Sequence, residues 1–343
     1  MPVNIAVLGA GSWGTALGIH LALKELPVTL WSRSPERALK MRSERMNRQY
    51  LPDILFPELL DITSDLSGAV KNASVVVLAV PSQAVRSLSQ ACFPLLSPET
   101  IVVNTAKGFE EQTLLRLTQV MASEAPDSLQ ERLVVLSGPS HAEEVARRLP
   151  TTVVIAAKHK EIAEQIQDLL MDSVLRVYTN PDVIGVELGG ALKNVIALAT
   201  GIADGLGFGD NTRAALMTRG LAEIARLGIK MGAEVSTFAG LTGIGDLIVT
   251  CNSMHSRNRR AGIQLGKGVP LTRVLADMGM VVEGITTTKT AFFLSRKFQV
   301  PMPIAEEIYQ VLYHGKEPLA SVRHLMERRK THEIEEVVLR NGW

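Results

Sequence analysis

The chain has 343 residues and only two cysteines, Cys92 and Cys251. Two thiols cannot build a disulfide framework, so a stapled extracellular scaffold is excluded and a reducing compartment fits. An excess of charge of one sign is also missing. The formal net charge is +1, which argues against a nucleic acid or a membrane surface held by bulk electrostatics. No apolar run is read as approaching the roughly 18 residues needed to span a bilayer. The start of the chain has no basic stretch ahead of an apolar one, so no secretory signal is expected. Repeats and low-complexity tracts are lacking too. The expected setting is cytoplasmic, with no nucleic-acid partner and no membrane partner.

What is present suits a globular protein of two ordinary domains, with 46% apolar and 21% charged residues. The first half alternates short β-branched runs with helical patterns. Asn4–Leu8, Val28–Trp31, Val75–Val80, Ile101–Asn104, Leu133–Leu136, Val153–Ala156 and Arg176–Tyr178 read as strands, and Thr15–Lys24 reads as a helix. Nearly continuous apolar strands separated by helices predict a mostly parallel sheet covered on both faces, which is the doubly wound, Rossmann-like α/β pattern. Beyond about residue 185 the strand signal stops, and Ala- and Leu-rich segments at 187–203, 211–231, 284–297, 303–313 and 318–328 predict an all-α second domain. The expected division is 1–185 and 186–343. Glu327–Lys330 reads as a solvated helix end.

Gly9-Ala10-Gly11-Ser12-Trp13-Gly14 fits G-x-G-x-x-G directly after a strand and directly before a helix. In that context the glycines allow a sharp turn and close approach to a pyrophosphate at the helix N-terminus; out of it they would be an ordinary tight turn. The second strand ends in Trp31-Ser32-Arg33-Ser34, where NAD-preferring folds usually place a carboxylate. Arg33 could pair with a 2′-phosphate, with the serines as donors, so NADP(H) is favoured; Glu36 nearby leaves NAD(H) open. The plainer reading of Arg33 is a solvated loop residue.

Lys193 lies in the otherwise apolar, small-residue run Glu187–Ala199, with Gly189 and Gly190 on its own helix face. A buried lysine must be paired or lose its charge, and the glycines cost helix stability, so the segment is read as making room for a ligand. The alternative is a lysine that snorkels its head to water. Lys107, in Asn104–Gly108, and Gly138-Pro139-Ser140 each follow a strand at the carboxyl edge where ligands bind in open α/β sheets; both also read as plain loop chemistry. Asp246, within Thr242–Cys251, could cap a helix or orient a lysine ammonium. Ser256-Arg257-Asn258-Arg259-Arg260 offers three guanidinium groups for an anion, or a solvated basic loop.

The motifs together carry a resemblance over nearly the whole chain. GAGSWGTAL at 9–17, NTAKG at 104–108, SGPSHAEEV at 137–145, the long run at 187–216, GLTGIGDLIVTC at 240–251, SRNRR at 256–260 and VVEGITTT at 281–288 closely resemble the bacterial-type NAD(P)-dependent glycerol-3-phosphate dehydrogenases. The resemblance implies interconversion of sn-glycerol 3-phosphate and dihydroxyacetone phosphate, supplying glycerol 3-phosphate for phospholipid synthesis, by an enzyme that is a homodimer and uses no metal. It implies that Lys193 is the catalytic acid/base and that Lys107 meets substrate and nicotinamide. Asn194, Asp246 and Thr250 would surround the reactive carbon. Gly138, Ser140, Ser256, Arg257 and Asn258 would hold the phosphorylated substrate. Gly9, Gly11, Ser12, Trp13, Gly14, Arg33, Lys107, Ala142, Arg257, Val281 and Glu283 would hold the cofactor. The rival readings are a 6-phosphogluconate or β-hydroxyacid type of dehydrogenase, and a non-catalytic NADP(H)-binding sensor.

Overall fold

The computed structural model describes residues 3–330, 332 and 333. Ten strands occur among the described residues: β1 (Ile5–Leu8), β2 (Val28–Trp31), β3 (Met46–Asn47), β4 (Leu51–Leu55), β5 (Leu60–Thr63), β6 (Val75–Leu78), β7 (Ile101–Asn104), β8 (Leu133–Ser137), β9 (Thr151–Ala157) and β10 (Leu175–Asn180). Eight form one sheet in the order β10-β9-β8-β7-β6-β1-β2-β5, and β3 and β4 make a separate antiparallel pair. From β5 to β8 all neighbours run parallel. The β8–β9 pairing is antiparallel, so β9 and β10 run against the rest. Strand order reverses beside β1, and a doubly wound sheet binds ligands at such a switch point, outside the carboxyl ends of its strands.

Strands β1, β6, β7 and β8 are buried along their whole length. Alternate residues feed two apolar layers. Ile5, Val7, Val75, Val77, Ile101 and Val103 pack on one face, and Ala6, Leu8, Val76, Leu78 and Val102 on the other. That double burial is why these strands are apolar without alternation.

Among the described residues no strand follows Asn180. The chain changes from strand to helix between Asn180 and Val183, so the division expected near residue 185 falls inside the first turns of the helix Val183–Gly205. Asp182 caps that helix by accepting from the Gly185 N–H at 2.8 Å. The helix is the axis of the second half, with Asp210–Lys230, Asp246–Asn252, Arg257–Gly266 and Glu283–Lys297 packed around it. The solvated end expected at Glu327–Lys330 is exposed, just past the helix Pro318–Met326.

The expectation that no segment is long and apolar enough to span a bilayer is corrected. Val183–Gly205 is long and apolar enough, by length and composition, to cross a membrane. Glu187 and Lys193 interrupt the run, so no unbroken apolar stretch marks it in the sequence. In the fold 89% of its most apolar stretch is buried inside the protein, where the surrounding helices take the place a lipid would have.

Candidate active site at the carboxyl edge of the sheet

The glycine-rich turn is tight where β1 meets the helix Ser12–Leu23. Gly9 has φ +122°, and a Cβ there would stand 2.4 Å from the Ala79 carbonyl oxygen. A Cβ on Gly14 would meet the Gly9 carbonyl oxygen at 2.0 Å, whereas Gly11 faces open space. Two glycines therefore make the turn and the third leaves its outer side clear for a ligand. The helix has no side-chain cap and no acidic residue in its first turn. Its first N–H groups and the positive dipole end are thus available to an anion. Asn47 fixes the turn by donating to the Ala10 carbonyl at 3.1 Å and to Thr15 Oγ1 at 2.8 Å, and Arg37 donates to the same carbonyl at 3.2 Å. Trp13 packs on the cluster of Ala16, Leu51, Ala142 and Val145, which ties Ala142 to the turn.

Beyond β2, Arg33 is exposed. Ser32 Oγ reaches the Ser34 carbonyl at 3.4 Å, and Ser34 caps the helix Pro35–Glu44 by accepting from the Arg37 N–H at 3.3 Å. Both serines have local work besides any ligand contact.

At the far end of the same edge, one buried carboxylate joins two lysines. Asp246 Oδ1 accepts from Lys193 Nζ at 2.7 Å and Oδ2 from Lys107 Nζ at 2.8 Å. Asp246 is 1% exposed and Lys193 6%, so the snorkelling alternative for Lys193 is excluded. Asp246 opens the helix Asp246–Asn252 but lies past its cap, Gly245; its side chain orients ammonium groups instead of capping. Thr250 Oγ1 accepts from Lys193 at 2.6 Å and donates to the Asp246 carbonyl at 2.6 Å. The Lys193 ammonium thus spends two of its three donors on the protein.

Electrostatics at Lys193 follow from that geometry. Burial depresses its pKa most, Asp246 opposes, Lys107 adds to the depression, and the result is about 8. For Asp246 the two ammonium groups overcome burial and hold the carboxyl below its usual range. Two cations share one anion, which leaves the cluster with an excess positive charge in a site shielded from water.

The remaining residues extend the network. Lys107 also donates to the Gly138 carbonyl at 2.9 Å, which accepts from Ser140 Oγ at 3.0 Å as well. Asn194 donates to the Lys107 carbonyl at 3.2 Å and accepts from Asn258 Nδ2 at 2.8 Å. Asn258 Oδ1 in turn accepts the Gly284 N–H at 2.8 Å. Ser256 caps the helix Arg257–Gly266 through the Arg259 N–H at 3.2 Å. Arg257 is exposed beside it and donates to the Val281 carbonyl at 3.0 Å. Arg259 leaves the expected three-arginine anion site, because it pairs with Asp204 at 2.8 Å and donates to the Asn252 carbonyl.

Two features escaped the sequence. Ser82, past the end of β6 at the same edge, donates its N–H at 2.9 Å and its hydroxyl at 2.5 Å to Glu283. Desolvation pushes the Glu283 carboxyl up, while Ser82 and Arg257 pull it back. Its place after a strand, in Val80-Pro81-Ser82, was the available signal. The second concerns the glycines before Lys193. A Cβ on Gly189 would stand 2.5 Å from the Thr242 carbonyl oxygen, and one on Gly190 would stand 2.6 Å from Ser137 Oγ. They make room for the protein's own segments, which is a correction of the ligand-space reading.

A nucleotide-ready turn and a lysine–aspartate–lysine cluster at one sheet edge, roofed by helices, define a two-part nicotinamide-dependent dehydrogenase. The sequence patterns of the NAD-dependent glycerol-3-phosphate dehydrogenase N-terminus and C-terminus match residues 4–163 and 182–323. The glycerol-3-phosphate dehydrogenase, NAD(P)+, of Moorella thermoacetica is 61% identical over 98% of this chain and 99% of its own. That of Pelotomaculum thermopropionicum is 57% identical over 99% and 97%. The crystal structure of glycerol-3-phosphate dehydrogenase from Coxiella burnetii superposes with a TM-score of 0.91 at 39% identity, covering 95% of this chain and 99% of that one. The chain belongs to the NAD-dependent glycerol-3-phosphate dehydrogenase family.

Proposed function

We propose that the enzyme interconverts sn-glycerol 3-phosphate and dihydroxyacetone phosphate, prefers NADP(H) to NAD(H), and supplies glycerol 3-phosphate for phospholipid synthesis. The observation that carries the chemistry is Asp246 gripping Lys193 and Lys107 at 2.7 and 2.8 Å. The nicotinamide, when bound, carries the hydride. Lys193 stabilises the negative charge that develops on the carbonyl oxygen and donates a proton to it; in the oxidative direction neutral Lys193 takes the hydroxyl proton. Asp246 and Thr250 hold that ammonium in place, and Lys107 adds a second positive charge beside it. Arg257, Asn258 and Ser256 lie at the start of one helix, where guanidinium and N–H donors suit a phosphate. Asn194 links this end to Lys107 through Asn258.

The glycine turn, with Ser12, Trp13 and Ala142 around it, holds the pyrophosphate side of the cofactor. Arg33 supplies the NADP(H) preference through its exposed charge at the end of β2. Val281 and Glu283 approach the cofactor from the helical part, supported by the Arg257–Val281 and Ser82–Glu283 contacts. We keep 1–185 and 186–343 as the two domains, a homodimer as the assembly and a reducing cytoplasmic setting, the last supported by the free, buried Cys92 and Cys251.

Initial rates of dihydroxyacetone phosphate reduction with NADPH and NADH in parallel test the reading. Turnover with both, faster with NADPH, is expected, and Lys193→Ala should lose about 10²- to 10⁴-fold in turnover number with NADPH affinity retained. Oxidation of a carboxylate-bearing substrate with no reduction of dihydroxyacetone phosphate would favour the 6-phosphogluconate or β-hydroxyacid type. Failure with every substrate would favour a sensor.

A further inference from the structure

We propose that Ser82 is a positioning residue for the reaction: through Glu283 it ties the helical half to the sheet edge and so sets where the Lys107 ammonium stands beside Lys193; this rests on the lysine chemistry proposed above. Ser82 follows β6 and is 2% exposed. Its N–H meets Glu283 Oε1 at 2.9 Å and its hydroxyl meets Oε2 at 2.5 Å, so one small residue satisfies both oxygens of a carboxylate 201 positions away. A Cβ on Gly108 would lie 2.8 Å from Ser82 Oγ and 3.0 Å from Glu283 Oε2. The residue next to Lys107 therefore packs directly on the pair. Gln83 grips the same loop one step further on: its Nε2 donates to the Phe109 carbonyl at 2.7 Å and its Oε1 accepts the Glu111 N–H at 3.1 Å.

From Glu283 the contacts return to Lys107 by a second route. The adjoining Gly284 N–H donates to Asn258 Oδ1 at 2.8 Å, Asn258 donates to Asn194 Oδ1 at 2.8 Å, and Asn194 donates to the Lys107 carbonyl at 3.2 Å. The circuit closes at Gly108, so Lys107 is held from the sheet edge and from the helical half, and both holds pass through the Glu283–Gly284 segment. Hydrogen bonds to a charged group are the strong ones, and a stranded buried carboxylate oxygen is costly. Without the Ser82 hydroxyl, Oε2 loses its one hydrogen bond among the described residues. Arg257, whose charge already acts on that carboxyl, then draws it off the sheet edge, and the Lys107 ammonium moves away from Asp246.

Lys193 registers that movement. Burial lowers its pKa most, Asp246 opposes, Lys107 adds to the lowering, and Cys251 opposes. His141 also lies within the field of Lys193, but its own pKa is lowered, chiefly by burial, so it stays neutral and adds no charge. Displacing Lys107 removes a depressing cation and leaves Asp246 to Lys193 alone, so the Lys193 pKa rises.

The test is pH-dependent steady-state kinetics, with dihydroxyacetone phosphate and NADPH varied in turn, on the full-length enzyme, Ser82→Ala, Glu283→Gln and the double variant. Ser82→Ala is expected to lower kcat/KM for dihydroxyacetone phosphate about 10-fold and to move the alkaline limb, set by Lys193 at about 8 in the unaltered enzyme, to higher pH. Glu283→Gln is expected to move it the same way, and the double variant to lose little more than either single one, because one path is cut twice. An unmoved limb, additive losses, a lowered thermal midpoint with unchanged kinetics, or a change confined to KM for NADPH overturns the positioning role and leaves the substrate reading standing. Absence of dihydroxyacetone phosphate reduction by the unaltered enzyme overturns both.

Discussion

Lys193 is held below its usual pKa by burial and by Lys107, against the opposing pull of Asp246. Burial and Lys107 favour the neutral amine, Asp246 favours the ammonium, and the balance falls at about 8. Reduction needs the ammonium and oxidation the amine, so kcat/KM for dihydroxyacetone phosphate reduction should fall as pH rises through about 8, while that for glycerol 3-phosphate oxidation should rise through the same range. A pH–rate profile in both directions checks this; parallel profiles would remove Lys193 as the titrating group. Asp246→Asn deletes the main effect holding the proton on Lys193, so the alkaline limb of the reductive profile should move to lower pH. It also leaves two ammonium groups facing each other without an anion, a change that costs about 3–5 kcal/mol when a buried pair is broken. The thermal midpoint should therefore fall together with the pH limb. The sequence showed that a lysine sat in an apolar helix and named its competing influences. It could not rank them, because the ranking depends on a contact across 53 positions of chain.

The helix carrying Lys193 meets the helix Arg257–Gly266 through glycine on both sides. Gly201 faces Gly262 and Gly205 faces Gly266; a Cβ on any of the four would stand 2.9 Å from the facing Cα and closer still to a carbonyl oxygen. This spacing, Gly-x-x-x-Gly on each helix, lets the backbones approach more closely than side chains would allow. The approach brings Asn258 within 2.8 Å of Asn194 and sets Arg257 at the mouth of the site. Gly262→Ala should force the helices apart at a cost of about 3 kcal/mol, read as a lowered midpoint in denaturant, and should raise KM for dihydroxyacetone phosphate more than KM for NADPH. An alanine variant with unchanged stability would show that the contact is slack. The same stripe explains why this helix was illegible: its buried residues are Asn258, Ala261, Gly262, Leu265 and Gly266, and glycine reads as a helix breaker. Strand β5 was missed for a related reason, since Leu60-Asp61-Ile62-Thr63 is four residues at a sheet edge with only two of them apolar. Val75–Leu78 and Leu133–Ser137 were legible because they are buried on both faces, where packing leaves no choice but apolar residues.

At the scale of the molecule, the sheet and the helical part are joined through the site and through its surroundings. Lys107 reaches Asp246, Ser82 reaches Glu283, and Lys289 pairs with Glu111 at 2.6 Å. Glu187, on the long helix, accepts from Arg116 and from Thr118, whose N–H lies at 2.8 Å. These contacts are polar, several are buried, and each would leave a charged or hydrogen-bonding group stranded if one half unfolded alone. Val186, near the start of the same helix, packs with Val135, Val154 and Ala156 of the sheet, so the long helix belongs to both cores. Partial unfolding would therefore expose apolar surface and break buried polar pairs at once. Calorimetric unfolding is expected to show a single transition in place of one per half. NADPH at about 100 times its dissociation constant should shift that whole transition upward, by about 2.7 kcal/mol of added stability. Two separated transitions, with only the lower or only the upper one moved by NADPH, would mean that the buried bridges do not couple the halves, and that the cofactor acts on the sheet alone.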